Sequence, residues 1–113
     1  MSSPQDSAAA QLSAAADRLV HRVGHWSKAR WAEPARGTGA GTSRGDAVFA
    51  LVERLAGLAA TIEGRAAHAV PRLASDMVLP DQLRVMVLDL LAVAPPDALL
   101  SAAHDLDATG SSL

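Results

Sequence analysis

Proline limits the length of every regular segment in this chain. Pro34, Pro71, Pro80 and the pair Pro95-Pro96 each lack a backbone donor and push the preceding residue out of the helical region. A helix therefore does not run through any of them, and a central strand does not accommodate them. Between these stops the large apolar residues recur three and four positions apart, which is the period of an amphipathic helix. Composition agrees. Of the apolar half of the chain, 25 residues are alanine, with one Phe, one Ile, no Tyr and nine Val. Strand formers are too few for a sheet, whereas alanine and leucine favour helix. The expected fold is all-α: a small helical bundle of three main helices, a short C-terminal helix and a long Gly-rich connector after the first.

Residues 1–6 are expected to be disordered. Ser7 is expected to cap a helix running to Ala32, with Leu12, Ala15, Ala16, Leu19, Val23 and Trp26 on one face. Asp17, Arg18, His21, His25 and Lys28 fall opposite. Gly24 costs about 1 kcal/mol relative to alanine within a helix and marks a possible bend. Residues 35–45 hold four of the eight glycines and read as a flexible linker. Ser43 with Asp46 resembles a capping box and opens a second helix, reaching Arg65, through Val48, Leu51, Val52, Leu55, Leu58 and Ile62. Gly64 is its natural terminator.

Residues 69–79 fit either a helical turn or an extended crossover laid over the core through Leu73, Met77 and Leu79. Pro80 and Asp81 start a third helix to Val93, since proline and an acidic residue both suit the first turn. Pro96 and Asp97 repeat that signal for the short last helix through Leu99, Leu100, Ala103 and Leu106. The single helical domain spans 7–109, and 110–113 is expected to be a disordered tail.

There is no cysteine, so disulfides and thiolate chemistry are excluded. The first residues lack the pattern of a signal peptide, and no stretch approaches the roughly 18 apolar residues of a membrane span. The expected location is the cytoplasm, without membrane association. Nine arginines against one lysine, with abundant alanine, suggest a bacterial, GC-rich coding sequence. Residues 1–45 carry six basic and three acidic side chains, and residues 46–113 four and nine. This asymmetry is most simply two differently charged solvated faces.

No motif carries catalysis, and no cofactor is expected. Asp17, His21 and His25 recur every fourth residue, and a histidine pair at that spacing can chelate a divalent metal. The neighbouring Arg18, Arg22 and Lys28 oppose a cation, and an exposed polar stripe is the simpler reading. Two tryptophans among basic residues at 21–31 suggest single-stranded nucleic acid, but a pI near 6.0 argues against it. Trp26 reads as a core anchor covered by Arg22 and Arg30. Trp31, at the edge of the apolar face, is a candidate for exposed contact. The glycines at 37–45 lack the strand and the lysine of phosphate-binding loops.

On the third helix Leu83, Met86, Val87, Leu90, Leu91 and Val93 spread over one side, while Asp81, Gln82, Arg84 and Asp89 mark the other. Val85 and Leu88 fall within the polar sector. Either residues 69–79 or the last helix cover them, or they are left as an exposed patch. With 31 apolar residues other than alanine, the chain gains from a shared core. The expected role is a self-associating protein-interaction module, a homodimer with a further protein partner conceivable. The alternatives are a metal- or ligand-binding protein using the His21/His25 stripe and a weak nucleic-acid binder using the basic first helix.

Overall fold

A computed structural model of the chain describes residues 3–36 and 41–113. The described residues are 74% helical. Among the described residues extended pairing is confined to one isolated bridge between Pro34 and Ser43. The described residues form five α-helices: α1 Pro4–Val23, α2 Lys28–Ala32, α3 Arg44–Glu63, α4 Leu79–Val93 and α5 Pro96–Ser111.

The first helix begins earlier than Ser7. The Ser3 hydroxyl accepts the Asp6 N–H at 3.1 Å, Pro4 occupies the first turn and Asp6 meets the positive end of the helix. Serine, proline and aspartate in that order are a stronger start signal than Ser7 alone. Residues 3–6 are thus ordered in or against the helix, and Gln5 donates to the Ala94 carbonyl at 3.1 Å.

Nor does one helix run to Ala32. α1 closes at Gly24, whose N–H donates to Val20 O. Ser27 then turns extended, and its hydroxyl accepts the Arg30 N–H at 3.2 Å to open α2. A weak helix former followed by a strong cap makes two helices cheaper than one. α2 ends at Glu33, which is extended as a residue before proline must be.

Part of the 35–45 linker, residues 37–40, lies outside the described residues. The rest is hydrogen-bonded: Ala35 N–H donates to Thr42 O at 2.9 Å and Arg44 N–H to Glu33 O at 2.8 Å. α3 then starts at the expected cap, with Ser43 Oγ accepting the Asp46 N–H at 3.0 Å. It stops at Gly64, whose φ of 70° is the left-handed conformation that glycine adopts without strain.

The four long helices close a ring. α1 packs on α4 and α5, and α3 packs on the same two, so α1 and α3 stand at opposite corners. Inside lie Leu12, Leu19, Val23, Leu51, Val52, Leu55, Leu83, Leu90, Leu99 and Leu106, all buried. Each such side chain contributes about 1.5–3 kcal/mol through burial. Charged pairs lace the rim: Arg54 donates to both oxygens of Asp105 at 2.9 Å, and Arg18 to Asp107 at 3.1 and 3.2 Å. The bonds to Asp105 outweigh partial burial and raise the Arg54 pKa. These pairs are exposed and orient the helices more than they stabilise them.

Two further expectations are corrected. α5 has 16 residues against 15 for α4, so it is no short appendage. The supposed tail continues that helix to Ser111, buries Leu113 and accepts a 2.6 Å hydrogen bond from Arg36 N–H at Ser112 O. Leu113 is hydrophobic and finds room in the core, whereas a polar tail residue would not.

The 69–79 segment adopts neither simple form throughout. It is irregular up to a single 3-10 turn at Asp76–Val78. Leu79 enters the core, but Leu73 and Met77 stay about half exposed. Arg72 holds the segment, bonding Asp76 at 2.7 Å and Asp46 at 3.2 Å while its guanidinium lies 5.1 Å from the centre of the Phe49 ring.

Candidate functional site

α4 is where the chain leaves its apolar surface unfinished. Pro80 and Asp81 sit in its first turn. Leu79, Leu83, Val87 and Leu90 point inward against α1 and α3. The helix occupies one corner of the ring, so the opposite face meets water. Val85 is 51% exposed and Leu88 64% exposed there. Of the two outcomes open from the sequence, coverage and a bare surface, the structure has the second. Neither residues 69–79 nor α5 covers them. Ala92, one turn beyond Leu88, is also exposed.

Charge flanks this strip on both sides. Arg84 reaches Asp17 on α1 at 3.4 Å, with both side chains at least half exposed. Asp89 is exposed and makes no ion pair among the described residues. A groove of about 270 Å³ runs between α1 and α4 beside Leu88, floored by Ala16, Val87 and Leu91. A second, of about 260 Å³, lies on the α3 side, where Met86 and Asp89 face His68 and Val70. The strip is thus an apolar ridge between two shallow furrows.

Trp31 is not part of any surface. It is 1% exposed and its ring meets that of Trp26, also buried. The break between α1 and α2 rotates it away from the position a continuous helix would impose. Arg30 covers Trp26, with its guanidinium 5.0 Å from the ring centre, as expected. The second covering cation is Arg44 at 5.2 Å instead of Arg22, which reaches the Gly110 carbonyl. Arg44 lies at the far end of the 35–45 connector, and no local spacing announces its return.

The histidine stripe is not assembled either. Asp17 and His21 are exposed on α1, and Asp17 is engaged by Arg84. His25 lies past the end of that helix, so the four-residue spacing no longer implies a shared face. Among the described residues no three His, Cys, Asp or Glu side chains gather in a group able to hold a metal ion. No described helix is long and apolar enough to cross a membrane.

A third groove, of about 350 Å³ between α1 and α5, is lined by Arg18, Arg22 and Asp107. Its two cations are already committed to Asp107 and to the Gly110 carbonyl. Comparison with known proteins finds no match: no family model, no curated protein and no solved structure is similar to the chain.

Proposed function

We propose that this chain is a protein-interaction module that self-associates, with Val85 and Leu88 of α4 at the centre of the contact. The observation that carries the reading is their exposure, 51% and 64%, on a helix whose other face is fully packed. These two branched apolar side chains lie side by side in a polar sector and keep half or more of their surface exposed among the described residues. Covering each contributes about 1.5–3 kcal/mol, and a closed two-fold pair is the commonest way for a small protein to cover such a strip. Leu73 and Met77 add further uncovered apolar surface to the same chain.

Light scattering coupled to gel filtration tests this. The expected mass is twice 11.6 kDa. The double variant Val85→Glu, Leu88→Glu is expected to give a folded monomer with an unchanged helical dichroism spectrum, because neither side chain is part of the buried core. A wild-type monomer at high micromolar concentration overturns the proposal.

A further inference from the structure

The charges beside the exposed strip carry information about how two copies would meet. Arg84-Val85-Met86-Val87-Leu88-Asp89 can be read as positions g to e of a heptad, with Val85 at a, Leu88 at d and Ala92 at the next a. Steps of about 100° place Val85 and Leu88 some 60° apart, with Arg84 outside one and Asp89 outside the other. Exposure follows the same frame, since Val85, Leu88, Ala92, Arg84 and Asp89 are exposed while Leu83, Val87 and Leu90 are buried.

Resting on the self-association reading, we infer that α4 pairs in parallel with α4 of a second copy. The two-fold axis runs along the helices, and Arg84 of each protomer lies against Asp89 of the partner subunit. A rotation about an axis parallel to the helices exchanges the two flanks of the strip. Arg84 then meets the partner's Asp89, five residues further along, which is the offset bridged by g and e side chains in parallel pairs. An antiparallel two-fold pair keeps each flank with itself. It sets Arg84 beside the partner's Arg84 and Asp89 beside the partner's Asp89, and like charges at such separations repel.

The apolar residues fit a pair of helices: among parallel assemblies, a β-branched residue at a with leucine at d favours two strands over three or four. Arg84 is also free to turn: its hold on Asp17 is a single 3.4 Å contact on the surface. Asp81 occupies the preceding d position and opposes the partner's Asp81. This opens the N-terminal end, so close contact runs from Val85 to Ala92.

The absence of cysteine allows a direct test. In the parallel pair, Ala92→Cys places two thiols opposite each other on the seam. In an antiparallel pair centred between Val85 and Leu88 they stand about 16 Å apart along the axis. Mild oxidation is expected to give a covalent dimer from Ala92→Cys and none from Ser101→Cys, an exposed position on α5. Charge reversal is the second arm. Arg84→Glu and Asp89→Arg are each expected to weaken dimerisation about tenfold, and the double variant to recover most of that loss. A dimer of normal mass that neither cross-links at 92 nor responds to single reversals overturns the parallel pairing and leaves self-association standing. A wild-type monomer overturns both.

Discussion

The indole rings of Trp26 and Trp31 meet edge to face, with 5.0 Å between centroids and 68° between planes. Residues five apart on one continuous helix diverge by about 140° and do not meet in this way. They meet because Ser27 caps a new helix between them. Trp26 then stands just before the cap and Trp31 at the fourth helical position, the arrangement of a hydrophobic staple. Trp31→Ala is expected to lower stability by about 3–5 kcal/mol, and Ser27→Ala by about 1 kcal/mol. Urea denaturation followed by circular dichroism measures both. A loss below about 0.5 kcal/mol for Trp31→Ala would mean that the ring is at the surface.

Acid should loosen the N-terminal end of α3. The hydrogen bond from Arg72 holds the Asp46 carboxyl below its ordinary range, against the opposing effect of burial and with help from Ser43. Burial disfavours the charge on Arg72, but its bonds to Asp76 and Asp46 prevail and raise its pKa. A depressed carboxyl stabilises the fold above the unfolded value of about 3.9 and ceases to do so as pH falls through the lower folded value. Asp46→Asn is therefore expected to be less stable than wild type at neutral pH, with the difference narrowing below about pH 4. Thermal melts between pH 7 and pH 2 measure it, and a constant difference across that range would contradict the assignment.

Gly45 lies in the first turn of α3 and is buried. A β-carbon there would stand 2.6 Å from Cγ and 2.9 Å from Oδ1 of Asp76, a carboxylate already held by Arg72. Gly45→Ala is expected to destabilise by about 1–2 kcal/mol despite its better helix propensity. In an Asp76→Ala background the same change is expected to become neutral or stabilising, by up to about 1 kcal/mol. A double-mutant cycle by urea denaturation reads the coupling. Additive effects would show that the two residues do not touch.

Leu113 is 2% exposed although it follows the last turn of α5. Leu113→Ala is expected to lower stability by about 2–5 kcal/mol, the range for a buried leucine. Leu100→Ala, at a 41% exposed site on the same helix, is expected to change it by less than about 1 kcal/mol. Equal effects of the two would place Leu113 in solvent.

Local chemistry is what could be read along the chain. The caps at Ser43 and Gly64, the stops before Pro34 and after Val93, and the apolar faces of α1, α3 and α4 all depend on residues within one or two turns of each other. That is why the all-helical fold, the buried Trp26 and the odd placement of Val85 and Leu88 were legible. The Ser3-Pro4 start and the Trp26-Ser27 staple were equally local, but each competed with a longer periodicity that continued through it.

What only the tertiary structure decided depends on residues far apart in the chain. Whether Val85 and Leu88 are covered depends on where α5 and the 69–79 segment pass, and periodicity within α4 carries no information about that. Arg44 over Trp26, Arg72 between Asp46 and Asp76, and Leu113 in the core are likewise contacts between distant segments. A helical pattern specifies which face seeks burial. The helix ring closed by α1, α4, α3 and α5 supplies enough neighbours to bury each inward face, and among the described residues leaves the outer strip of α4 half or more exposed.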